Sequence, residues 1–176
     1  MSKASVLLDK MLLPYSPLLG KDLERYRNHV HRVFANCIAL DQHSDNEEKY
    51  AISAVFHDIG IWTAHTFDYL EPSIREVELY LLKNGKPAWL PEIKAMIYWH
   101  HKVSSYKSDY QTTVEVFRKA DWIDVTFGIR SFGLDRGRST AVRKEFPNKG
   151  FHLFLLKLSV KNFFRHPLNP VPVFKR

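Results

Sequence analysis

Apolar and polar positions follow a helical period over most of this chain. Between Asp22 and Gln42, Leu23, Tyr26, Val30, Val33, Phe34, Cys37, Ile38 and Leu40 recur at near three- and four-residue spacing, which predicts a long helix with one buried face. Ser44, followed by Asp45, Asn46, Glu47 and Glu48, offers an N-cap with acids in the first turn, and a helix is expected to run on from Lys49 to Phe56. The stretch EPSIREVELYLLKNG reads as a helix opened by a capping box of Ser73 with Glu76 and stopped at Asn84-Gly85. LPEIKAMIYWHHK starts a helix with Pro91 in its first turn. TTVEVFRKADWIDVTFG carries a second capping box, Thr112 with Glu115, and Gly128 as a stop, and FHLFLLKLSVKNFF reads as an amphipathic helix before a Pro-rich tail. No segment alternates as a strand does, so the expected fold class is all-α, a helical bundle.

Composition narrows this picture only a little. The chain has 176 residues, 45% hydrophobic and 14% aromatic, enough for one domain with a substantial core over residues 1–176. No repeat or interdomain linker divides it. A net charge of +7 favours anionic partners such as phosphate esters, nucleotides or nucleic acid. A single cysteine, Cys37, forbids an intrachain disulfide and fits a reducing cytoplasm. The N-terminal stretch lacks the pattern of a signal peptide, and no segment approaches the roughly 20 apolar residues of a membrane span, so a cytoplasmic protein without membrane attachment is expected.

The candidate chemistry lies in three of the predicted helices. His29 sits in HVHRV, His57 and Asp58 end the helix that closes FHDIG, and Asp121 lies in RKADWIDV. Facing helices of a bundle can aim such side chains at one interior point. Two imidazoles with two carboxylates suit a divalent transition ion such as Mn, Fe, Co or Zn. Adjacent residues are about 100° apart on a helix, so His57 and Asp58 face different ways in mid-helix. At a helix end, with Gly60 close behind, both can reach one ion.

This order of motifs resembles the HD-domain superfamily of metal-dependent phosphohydrolases, whose pattern is a histidine, then His-Asp, then a distant aspartate. The resemblance spans about residues 26–125, with a helical extension at about 150–165 and the Pro-rich tail beyond it. It implies an HD-like helical bundle and the metal ligands His29, His57, Asp58 and Asp121. His31 is the rival for the first position, and the spacing to Arg32 favours His29. The tandem His100 and His101 in IYWHHK resemble the extra histidines with which some members hold a second metal or the substrate phosphate. Binuclear members carry another histidine after the His-Asp pair, whereas SIREVELYLLKNG has none, so one ion is expected and a second is possible. The glutamate that nucleotidase-like members carry three residues after the aspartate is Ile61 here. No acidic pair of the alarmone hydrolases and no GYP motif is present either.

The resemblance implies a metal-activated water attacking a phosphate ester or nucleotide-like molecule. Asp58 would orient the water, and His100 or His101 would bind the substrate or protonate the leaving group. Arg130, Arg136 and Arg138, in a glycine-containing segment expected as a loop overhanging the metal, would hold the phosphate with guanidinium forks, aided by Lys102. Trp62 would line the pocket mouth. Asp124, one turn beyond Asp121, would orient a ligand or an arginine. Competing readings are an HD-fold di-iron oxygenase, a hydratase or lyase, and a basic binding module that retains the metal. For nucleic acid, the footprint would be the basic segment from Arg130 to Lys144, but no motif supplies an element for a groove. The broad apolar face from Phe151 to Phe164 makes a homodimer conceivable.

Overall fold

In the computed structural model, which describes residues 3–165, the chain is a succession of helices: α1 (Lys3–Leu12), α2 (Ser16–Leu19), α3 (Leu23–Leu40), α4 (Glu47–Phe56), α5 (Gly60–Thr63), α6 (Leu70–Lys83), α7 (Leu90–Trp99), α8 (Gln111–Val125), α9 (Arg136–Glu145) and α10 (Phe151–Arg165). Among the described residues there is no strand, and the fold is all-α. None of these helices is long and apolar enough to cross a membrane. The Pro-rich tail, with His166, lies outside the described residues, as does the Ser44 side chain.

The long helix expected between Asp22 and Gln42 forms as α3, but it is buried on more than one face. Tyr26, Val30, Val33 and Cys37 are buried there together with the polar Asn28, His29, His31, Arg32 and Asn36. The reason is position. α3 runs through the middle of the molecule, packed along α8 and touching α1, α4, α9 and α10. Its polar residues therefore meet protein on sides where an edge helix would meet water. α4 is enclosed in the same way, with every residue from Tyr50 to Phe56 buried.

The predicted helices are present, but several caps differ from expectation. α4 starts at Glu47 behind Asn46, which makes no side-chain cap, while Ser44 belongs to a preceding 3-10 turn. Ser73 is interior to α6, its N–H bonded to Tyr69 O at 2.9 Å, and no capping box forms. Glu76 instead accepts a hydrogen bond from the Tyr15 hydroxyl at 2.8 Å. α8 likewise begins at Gln111, one residue before Thr112, and the Glu115 carboxylate accepts from Tyr106 N–H and from Arg118. At the far end of α8 Phe127 (φ 54°) and the expected stop Gly128 (φ 76°) are both left-handed, and Gly128 N–H bonds Ile123 O at 2.7 Å. The segment expected as a basic loop contains α9, whose N-cap Asp135 accepts from Arg138 N–H at 2.8 Å.

The turn after α4 is what matters for the site. His57 closes α4, Asp58 follows, and α5 begins two residues later at Gly60. Gly60 lies directly against the start of α6. Its N–H donates to Ser73 Oγ at 2.9 Å, and a Cβ there would fall far inside contact with Tyr69 O and 2.8 Å from Ser73 N. Backbone on two sides leaves no room to give. Gly60→Ala is expected to lower unfolding free energy in urea by about 2–3 kcal/mol through overpacking. A variant as stable as the parent would show that this contact is not tight.

Candidate metal centre

Four helix segments bring five imidazole and carboxylate side chains together in the interior. His29 comes from α3, His57 and Asp58 from the end of α4, His100 from the end of α7 and Asp121 from α8. Each is at most 2% exposed, so water does not solvate them.

Hydrogen bonds fix which ring nitrogen of each histidine faces inward. His29 Nδ1–H donates to Asp124 Oδ2 at 2.7 Å, and His57 Nδ1–H donates to Ala54 O at 2.8 Å. A carbonyl can only accept, so the second assignment is forced. Both Nε2 atoms are then left with lone pairs, and they face one another at 3.0 Å. Carboxylate oxygens close around them: Asp58 Oδ2 is 3.7 Å from His29 Nε2 and 3.4 Å from His57 Nε2, and Asp121 Oδ1 is 3.6 and 3.8 Å away from the same atoms. Lone pairs so disposed repel unless a cation or a proton lies among them. Donors held about 2.1 Å from one ion are about 3.0 Å apart at right angles and about 3.4 Å apart tetrahedrally, so these separations suit the edges of a coordination polyhedron. His29, His57 and Asp58 offer ligand atoms close enough to hold one divalent transition ion, and Asp121 Oδ1 stands within 3.8 Å of both imidazole Nε2 atoms beside them.

A second lone-pair cluster adjoins the first and shares Asp58. His100 Nδ1–H donates to Ile97 O at 2.6 Å, which leaves its Nε2 lone pair 3.5 Å from Asp58 Oδ1. Asp58 Oδ1, His100 Nε2 and Asp121 Oδ2 are all buried without a hydrogen-bond partner. His101 completes this set: its Nδ1 lies 3.8 Å from Asp121 Oδ2 and its Nε2 contacts the Tyr69 hydroxyl. His101 is the most accessible histidine of the cluster, with a side chain 17% exposed, and marks its outer edge.

The electrostatics follow from this crowding. Burial holds His29 neutral, its pKa lowered to about 4 despite the Asp124 carboxylate. Burial also works against a charge on His57, but the Asp58 and Asp121 carboxylates outweigh it and raise its pKa to about 9. Asp58 is held well below the usual carboxylate range by His57 and His100 in spite of burial. Burial raises Asp121 to about 6. The cluster thus draws positive charge into its centre, and a proton on His57 supplies it when no metal does.

Behind the ligands stands a charged pair that sequence reasoning valued mainly for its spacing. Asp124 accepts from His29 and, through both oxygens, from Arg32, whose Nε and Nη2 are 2.6 and 2.9 Å away. Arg32 also donates to Phe146 O at 2.9 Å, and His152 Nε2 donates to Asp124 O at 3.0 Å. Asp124 therefore orients both a ligand and an arginine. The visible signal was one-turn spacing, His29 to Arg32 and Asp121 to Asp124. One contact had no such signal: Phe151 of α10 stacks on His29 with centroids 4.1 Å apart. Tyr69, from the aromatic stretch just beyond the His-Asp pair expected to line the pocket mouth, brings its hydroxyl to His101.

The other expected site residues are distributed differently. His31 bonds Asp9 Oδ1 at 2.9 Å and stacks on Phe146, on another side of α3 from His29. Arg130, Arg136 and Arg138 lie at the surface. Arg130 is placed over the Trp122 ring, and the other two belong to α9, where Asp135 caps a helix in place of the expected loop. Lys102 is largely buried, its Nζ 5.2 Å from the Tyr98 ring, and lines a groove with Trp99 and Lys107. Trp62 is taken up by packing between Tyr26 and Phe154, with its indole N–H donating to Asp22. Its edge reaches a separate cleft with His65 and Lys161.

No family model matches the chain, and comparisons with curated proteins and with solved structures likewise find no match. The arrangement therefore has to be interpreted from its own chemistry.

Asp124→Asn removes one charge of a buried pair and leaves Arg32 uncompensated. It is expected to cost about 3–5 kcal/mol in chemical denaturation. A loss below about 1 kcal/mol would mean that Arg32 finds an equal partner elsewhere.

Proposed function

We propose that this chain is a metal-dependent hydrolase of the HD type, acting on a phosphate ester or nucleotide-like small molecule. The observation that carries this reading is the 3.0 Å approach of the His29 and His57 Nε2 atoms, both with Nδ1–H committed elsewhere, among the carboxylates of Asp58 and Asp121. The motif order His29, His57-Asp58, Asp121 supports it independently through its resemblance to that superfamily.

Bound by these four side chains, a divalent ion supplies Lewis acidity and a water of lowered pKa. The chain's own residues do the rest. Asp58 serves the site twice, with Oδ2 toward His29 and His57 and Oδ1 toward His100, and we assign it the orientation of the nucleophilic water. His100, with Nδ1–H tied to Ile97 O and Nε2 turned toward Asp58 Oδ1, accepts a hydrogen bond or a proton from that side. His101, at the partly exposed edge with Tyr69 against its ring, binds the leaving group. Asp124 and Arg32 hold the His29 ring in one orientation. Phe151 and the buried stretch of α4 from Tyr50 to Phe56 exclude bulk water, which strengthens every charge interaction inside.

The set formed by Asp58, His100 and His101 favours a second reading, in which two ions bind side by side. That reading opens the way to a dinuclear hydrolase or to a di-iron oxygenase. Hydratase or lyase chemistry and a metal-retaining binding module are further alternatives without a specific observation of their own.

Elemental analysis of the purified protein tests the site. One transition ion per chain, or two if both sets fill, is expected in the parent. Asp121→Ala and His57→Ala are expected to lose most of it, together with activity in a phosphatase and phosphodiesterase screen. Full metal occupancy in those variants would refute the ligand assignment. Two irons per chain with oxygen uptake and no phosphoesterase activity would replace hydrolase by oxygenase.

A further inference from the structure

Arg136, one of the arginines expected at the metal centre, lines a separate cleft together with Arg143. The cleft has a volume of about 280 Å³ and is lined by Phe127, Gly128, Ile129, Arg136, Ser139, Thr140 and Arg143, none of them from the His/Asp cluster. α9 presents Arg136, Ser139 and Arg143 at positions separated by three and four residues, which puts them on one face of that helix. The opposite wall is the left-handed turn after α8, where Phe127 and Gly128 both have positive φ.

Two features of this cleft call for an anion. Its lining contains two guanidinium groups and no acidic side chain. Arg143 is already oriented, with Nη2 donating to Ile123 O at 2.9 Å and the guanidinium carbon 5.5 Å from the Phe127 ring. The second feature is Ser139. Its residue is only 7% exposed, and its hydroxyl is buried without a hydrogen-bond partner although it belongs to the lining. A buried hydroxyl left unpaired costs about 1–3 kcal/mol. In a native fold such a group has a reason to be there, and a ligand oxygen supplies one. The Thr140 hydroxyl, by contrast, is occupied by Arg136 O at 2.9 Å.

The shape of the cleft narrows the ligand further. Gly128 brings the turn's backbone against α9: a Cβ there would be in ordinary contact with Arg143 Nη2 at 3.7 Å and Ser139 Cβ at 3.9 Å. The rim of the cleft is apolar. Phe127 and Ile129 are 57% and 81% exposed beside the arginines, which a bare inorganic ion would not use. Arginine forks match the tetrahedral oxygens of a phosphate group.

We propose that this cleft is a binding site for a small organic phosphate, separate from the candidate metal centre, with Arg136, Arg143 and Ser139 holding the phosphate oxygens and Phe127 with Ile129 covering the organic part. The proposal does not depend on hydrolase activity at the His/Asp cluster.

Isothermal titration of the full chain with phenyl phosphate and with inorganic phosphate tests it, using the parent, Arg136→Ala and Ser139→Ala. One saturable site is expected, tighter for phenyl phosphate. Each substitution is expected to weaken it about tenfold or more, the loss of one hydrogen bond to a charged group. Because Ser139 Oγ has no hydrogen-bond partner among the described residues, Ser139→Ala is expected to keep or gain stability in urea while losing affinity. No saturable binding would overturn the proposal. So would unchanged affinity in both variants, which would move the phosphate to another site, the metal centre included. Equal affinity for the two probes would overturn the assignment of an organic ligand.

Discussion

Carboxylates and imidazoles cannot be taken out of water into an apolar helical core without compensation, and that constraint governs this molecule. The penalty is several kcal/mol per ion even after relaxation. Yet His29, His57, Asp58, His100, Asp121 and Asp124 are all buried within a few ångströms of one another. The fold meets the cost in layers. Asp124 is paired with Arg32, His29 Nδ1–H is bonded to Asp124, and the Nδ1–H groups of His57 and His100 are satisfied by the carbonyls of their own helices. What these bonds leave over is a set of lone pairs pointing inward. A central positive charge is the remaining requirement, and the raised pKa of His57 shows how strongly the site attracts one.

The helices are arranged to meet that requirement from several sides. No single helix could present His57 and Asp58 to the same point; breaking α4 after Phe56 and restarting at Gly60 allows it. The restart is secured by Gly60 against α6, and α6 in turn brings Tyr69 to His101. Ligand geometry and helix packing are therefore one problem here. α10 closes the arrangement by laying Phe151 on His29, which ties an otherwise peripheral helix to the centre.

Much of this was legible in the chain, for identifiable reasons. Apolar spacing located α3 and an amphipathic run located α10, while cap, proline and glycine signals located α4, α6, α7 and α8. α9 left no such trace: Ser139 is its one buried residue among the described ones, and Ala141 and Val142 are the only apolar side chains in RGRSTAVRKE. Capping boxes were misleading because Ser73 and Thr112 have the right neighbours but sit past the first residue of their helices. Of the site, the pair at residues 57 and 58 stood out because adjacent ligands need a helix end. The partnership of Arg32 with Asp124 joins residues 92 positions apart, and the stacking of Phe151 on His29 is a long-range contact too. Neither can be derived from local pattern. The arginines of residues 130–143 were legible as a basic cluster, but whether they turned toward the metal centre depended on how α9 packs.

The central claim is that the inward lone pairs of His29, His57, Asp58 and Asp121 form a cation site, with a proton as the substitute. The most direct measurement is anomalous scattering from a crystal of metal-loaded protein, recorded on both sides of the absorption edge of the loaded ion. The account predicts an anomalous peak between the His29 and His57 Nε2 atoms, within bonding reach of Asp58 and Asp121. A fully loaded crystal with its only peaks elsewhere, and the two imidazoles still about 3 Å apart, would contradict it.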